Sequence, residues 1–175
     1  EYDIRSLSSI IIDDLGKNGE DGKWSILIQK STKRFIGSIL LNRGYLTTLD
    51  DLKETLAHEY GHHWSVINCI LNHWPDFASS KEARKRRLPD FYYGLRGLDN
   101  TKYYPDYRGG WHLCDKEVIA EDYRVLFAPE PYNQEHAVIE KIKQEELPDY
   151  MIQAPSVTTK EFIANLHVPI NRSQS

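Results

Sequence analysis

Apolar residues at Ile4, Leu7, Ile10, Ile11 and Leu15 recur at the 3.6-residue spacing of a helix face, and Gly16 follows as a stop. The spacing predicts an N-terminal helix over residues 4–15, against which only the β-branched run Ile10 to Ile12 speaks. After the turn-like GKNGEDG come KWSILIQK and RFIGSILLN, short runs rich in β-formers that read as two strands. The second holds FIGSILLN, which as an edge strand would bind substrate backbone by strand addition, although an ordinary sheet strand explains the same residues.

Thr48 then stands as an N-cap with Asp51 three residues on, and Leu52, Thr55, Leu56, Ala57, Val66, Ile70 and Leu71 supply one helix face over about 49–71. Gly61 interrupts it at a local cost of about 1 kcal/mol against alanine, which points to a close approach by something at that position. Residues 72–115 lose periodicity. The prolines at 75, 89 and 105 and the glycines at 94, 97, 109 and 110 predict a long irregular connection. Its aromatic residues, Phe91 to Trp111, argue for order and for a wall of the cleft. CDKEVIAEDYRVLFA reads as a helix over 115–128 stopped by Pro129; NQEHAVIEKIKQEEL and TTKEFIANL read as two more.

Composition fits this alternation. The 175 residues are 40% apolar and 27% charged, enough for one domain with a core and too few for two. The organisation expected is a single domain over 1–175, with a helix, two strands and a long helix in 1–71, an aromatic connection in 72–114 and a helical half in 115–175. That is an α+β fold in which a small sheet packs on the long helix. A net charge of −4 does not by itself imply a nucleic-acid or membrane partner, and no apolar run reaches the roughly 20 residues of a membrane span. The chain opens at Glu1 without a methionine, as expected of a processed or trimmed product. Cys69 and Cys114 allow one bridge, although two buried thiols are the favoured reading.

Candidate chemistry is concentrated in LAHEYGHHW. His58, Glu59 and His62 fit H-E-x-x-H, which on a helix sets two imidazoles one turn apart. A catalytic zinc takes three protein ligands and leaves a fourth position to water. His58 and His62 supply two, and Glu59, on the neighbouring side of the helix, is placed to take a proton from that water without being a ligand. His63 lies about 100° further round the helix and faces away.

The third ligand must come from elsewhere. In EVIAEDYRVLF, Glu117 and Glu121 lie one turn apart among Val118, Ile119, Ala120, Tyr123 and Phe127. A helix that apolar is buried, and buried acids need partners. One carboxylate can bind the metal while the other hydrogen-bonds a ligand imidazole.

HEYGH followed by EVIAEDYR resembles the gluzincin metallopeptidases of the anthrax lethal factor and Pro-Pro endopeptidase family, whose second motif is E-x-x-A-E-x-[FY]-R. Glu117, Ala120, Glu121, Tyr123 and Arg124 carry the match, and the resemblance covers about residues 48–128. It implies a zincin-like domain and a secreted zinc-dependent endopeptidase acting on protein or peptide substrates. His58, His62 and Glu117 would be the Zn2+ ligands, Glu59 the general base and Glu121 a carboxylate behind the ligands. It also implies an oxyanion-stabilising tyrosine ahead of the glutamate ligand, for which Tyr107 in PDYRGGW is the candidate and Tyr103 or Tyr104 the alternatives.

Two rival readings use the same residues. Repressor-cleaving regulatory metalloproteases follow H-E-x-x-H with E-x-x-A-x-x-F-A, which EDYRVLFA partly imitates with Glu121 as the ligand. A non-catalytic zinc staple would close the fourth position, for example with His112 or Cys114. The basic run KEARKRR, residues 81–87, reads as a solvated loop, with contact to nucleic acid or to an acidic substrate as its other reading; no nucleic-acid partner is expected.

Overall fold

A computed structural model describes residues 5–14, 20–29, 31 and 34–134. Three strands open the chain: β1 Leu7–Asp13, β2 Gly22–Gln29 and β3 Arg34–Asn42. Their order is β1-β3-β2, with β3 parallel to β1 and antiparallel to β2. The architecture is α+β, a three-stranded sheet followed by helices.

The expected N-terminal helix is therefore a strand. Ile10, Ile11 and Ile12 pair with Ile39, Leu40 and Leu41 of β3, and β-branched side chains suit a pleated ladder better than a helix. The helical spacing had no face to bury, since all three isoleucines stay 49–55% exposed. Of the two readings of FIGSILLN, the ordinary sheet strand is the one found. FIGSILLN belongs to β3, the central strand, whose backbone is engaged on both sides, and the edges are β1 and β2.

The long helix α1 runs Leu49–Ser65 and starts at a capping box. Asp51 N donates to Thr48 Oγ1 at 3.0 Å, and Thr48 N donates to Asp51 Oδ2 at 3.2 Å. Past Ser65 the backbone widens into a π turn, Val66–Ile70, and closes with Leu71–His73, so the expected single helix changes its winding near its end. The connection that follows is less irregular than its composition predicts. It holds α2 Lys81–Arg84, capped by Ser80, and α3 Asp90–Arg96, closed by Gly97 at φ 67°. Two 3-10 turns, Tyr107–Gly109 and Trp111–Leu113, then lead into α4 Asp115–Phe127.

Helices α1 and α4 lie against each other at Gly61, where a Cβ would sit 2.4 Å from the Ala120 carbonyl oxygen. That is the close approach that a glycine inside a helix suggested. The core around this contact joins Trp64, Ile70, Leu88, Tyr92, Ile119 and Tyr123. The basic run stays on the surface, as its solvated reading expects, with its arginines partnered: Arg84 donates to the Phe77 and Ala78 carbonyls, Arg86 grips Asp76 with both Nη atoms, and Arg87 donates to the Asn100 carbonyl and stacks over Tyr93. Cys69 and Cys114 are buried free thiols. Among the described residues no helix is long and apolar enough to cross a membrane. The two helices expected after Pro129 lie outside the described residues.

Candidate metal centre

The site forms where α1 meets α4. On α1, His58 and His62 stand one turn apart with their ring centroids 4.9 Å apart and edge to face. From α4, Glu117 Oε2 meets both rings, 2.9 Å from His58 Nε2 and 3.2 Å from His62 Nε2. Glu121, one turn further along, approaches the opposite ring nitrogen and lies 3.1 Å from His58 Nδ1. The two acids that spacing alone left interchangeable thus take different places.

Each of His58, His62 and Glu117 offers an atom within 4.8 Å of the others. Two imidazoles and a carboxylate, converging in a largely buried pocket, form the donor set that suits a zinc ion. Glu121, His112 and Cys114 are not among the ligand atoms grouped there.

Electrostatics favour positive charge at this spot. Burial alone pushes the His58 imidazole down, but hydrogen bonds and charge from Glu117 and Glu121 outweigh it and hold the group up at about 10. Burial would raise Glu117, yet His62 and His58 bring it well below the carboxylate range. Glu121 is likewise brought down to about 2 by His58 and Arg124 against the effect of burial. Glu121 has Arg124 as its compensating charge, and a divalent cation between Glu117 and the two imidazoles would compensate the other buried carboxylate.

Glu59 lies on the adjoining side of α1, 6% exposed and lining the same cleft. Burial raises its carboxyl above the usual range, with His62 and His58 opposing the shift. Strand β2 runs close above it: a Cβ on Gly22 would come 2.8 Å from Glu59 Oε1 and 2.6 Å from Thr55 Cγ2. The Trp24 backbone also hydrogen-bonds the Glu59 carboxylate. β2 therefore fixes Glu59 from one side while α1 fixes it from the other.

The opposite lip is the segment just before α4. Tyr104 N donates to the Leu113 carbonyl and Asp115 N to the Tyr104 carbonyl, both at 2.9 Å, so residues 105–113 form a loop pinned at its ends. This loop carries Tyr107, 62% exposed, whose hydroxyl donates to Glu117 Oε1 at 2.6 Å. Trp111 packs by His58 with ring centroids 5.6 Å apart. Tyr104 turns its hydroxyl to the Thr101 carbonyl, and neither it nor Tyr103 lines the cleft. The aromatic wall expected of residues 91–111 is thus narrower: Tyr107 and Trp111 line the cleft, whereas Phe91, Tyr92 and Tyr93 do not.

The cleft encloses about 860 Å³. Beyond His62 its floor turns apolar through Val66, Ile70 and Phe77, two of which sit on the π turn. His63 faces away, as its angle round the helix predicts, and is fully buried between Trp24 and Ser6. Gly22, Trp24 and Arg124 were not singled out from the sequence for parts in this site. For Gly22 and Trp24 the only signal is their place in an edge strand, which needs the strand order to be known.

The chain matches no protein-family model, no curated protein and no solved structure.

Proposed function

We propose that the protein is a zinc-dependent endopeptidase with a zincin-like, gluzincin-type domain. The observation that carries this reading is the convergence of His58, His62 and Glu117 with Glu59 in one cleft. A structural metal site has no use for a free carboxylate beside the ligands, whereas hydrolysis requires a base there. In addition, among the described residues the grouped ligand atoms number three, the count that a catalytic site uses when it keeps a fourth position for water.

A zinc ion held by His58, His62 and Glu117 would supply a Lewis acid that lowers the pKa of a water. Glu59, kept partly basic by burial, takes the proton of the attacking water and passes it on to the leaving amine. Tyr107, exposed and with its hydroxyl at Glu117, exchanges that hydrogen bond for one to the oxyanion that develops on the scissile carbonyl. Glu121 accepts from His58 Nδ1 and so leaves Nε2 free to be a ligand. Trp24, Tyr107 and Trp111 shape a cleft that admits an extended peptide.

The test is Glu59→Gln. The variant is expected to take up one zinc per chain, as the parent does, and to lose cleavage of a peptide library. Cleavage by the variant at the parent rate, or a parent that cleaves equally well after treatment with a chelator, would refute the reading.

A further inference from the structure

Helix α4 takes part in two buried arginine–carboxylate pairs that involve adjacent residues. Asp122 receives Arg96 Nε from α3 at 3.0 Å, and Glu121 receives Arg124. Only the second pair leads on to the candidate metal centre.

Arg124 is 2% exposed, and its donors point at named oxygens. Nε donates to Glu121 Oε2 at 2.9 Å, and Nη2 donates to Glu121 Oε1, so the guanidinium grips both carboxylate oxygens. Nη2 also donates to the Gln134 carbonyl at 2.8 Å, and Nη1 donates to the Tyr132 carbonyl. Glu54 Oε1 of α1 lies 3.3 Å from Nη1 as an ion partner. The planar fork of an arginine suits such a cage, whereas a lysine ammonium is a point charge without a plane.

Glu121 Oε2, the oxygen gripped by Nε, is the same atom that meets His58 Nδ1. A glutamate side chain turns freely about its last torsion unless both oxygens are held. With them held, the carboxylate plane is set, and with it the tilt of the His58 ring and the direction of Nε2. We infer that Arg124 is a positioning residue of the metal centre, one that fixes His58 through Glu121. The inference rests on the zinc reading above.

The experiment compares the wild type with R124K, R124Q and the matched control R96K. Zinc affinity is measured by competition with a chromophoric chelator, and the ligand field is read from the visible spectrum of the Co2+-loaded protein. R124K and R124Q are expected to bind zinc about 10- to 100-fold more weakly, the usual effect of disturbing the groups behind the ligands, and to shift the Co2+ bands. R96K is expected to melt at a lower temperature with wild-type zinc affinity and spectrum. Wild-type affinity and spectrum in a folded Arg124 variant would overturn the inference, as would an equal loss in R96K. If neither Arg124 variant folds, the residue serves the fold and the inference falls. A wild type that binds no zinc fails in a different way, since it removes the zinc reading before any variant is compared.

Discussion

Trp24 Nε1 donates to His63 Nδ1 at 3.1 Å, joining strand β2 to the buried face of α1 one residue after a candidate ligand. An indole N–H is only a donor, so Nδ1 of His63 must be the acceptor, and the proton of the neutral ring sits on Nε2, facing Ser6 Oγ at 3.1 Å. Space for this contact comes from Gly37, where a Cβ would fall 2.4 Å from His63 Nδ1. His63→Ala should therefore destabilise the protein by about 3 kcal/mol, through a cavity and an unpaired indole donor. Zinc stoichiometry should stay unchanged. Urea unfolding followed by Trp fluorescence checks the first expectation, and metal analysis checks the second.

Gly61 and Gly94 make a paired prediction, since both lie inside helices and meet different surroundings. At Gly94 an added Cβ meets nothing within 4 Å, so Gly94→Ala should stabilise by up to about 1 kcal/mol through helix propensity. At Gly61 the same methyl would meet the Ala120 backbone, which cannot rotate away, and Gly61→Ala should destabilise by about 1–3 kcal/mol. It should also weaken zinc binding, because it forces α1 away from the helix that carries Glu117. Thermal melts of the two variants should move in opposite directions.

The contrast between these glycines also shows what the sequence could tell. Gly61 stood out because it broke a strong helical pattern, but the partner that requires it, the Ala120 backbone of α4, lies far along the chain and had no local signature. The capping box at Thr48 and the stop ahead of Pro129 were legible, because cap chemistry is written within a few residues. The strand β1 was not legible. Its isoleucines satisfy a helical spacing and a strand propensity at once, and only the presence of β3 decides between them. Nor could spacing separate Glu117 from Glu121, which only the family resemblance assigned to different parts. They share a face of α4, and which one meets the Nε2 atoms depends on the register of α4 against α1. Gly22 over Glu59 is a contact between distant segments with no local signature.

The two thiols yield a prediction independent of the metal. Burial pushes Cys69 up to about 12 and Cys114 up to about 11, so neither carries appreciable thiolate at neutral pH. The folded protein should therefore react negligibly with Ellman's reagent at pH 8, while protein in denaturant should titrate two thiols per chain. Rapid reaction in the native state would contradict this burial, and Cys114, which borders the cleft, is the thiol that would report it.

Metal binding should also register as stability, because the ligands come from two helices. His58 and His62 belong to α1 and Glu117 to α4, so an ion held by all three cross-links elements whose packing makes the core. A ligand that binds the folded chain alone adds about 4 kcal/mol when present at a thousand times its dissociation constant. For a chain of this size that corresponds to a rise in Tm of roughly 8–16 °C. Zinc should produce such a rise in the parent, a chelator should reverse it, and Glu117→Gln should remove it. Glu121→Gln, which keeps all three ligand side chains, should retain a reduced rise. Differential scanning calorimetry over a zinc series checks all four expectations, and a full zinc response in Glu117→Gln would exclude Glu117 as the third ligand.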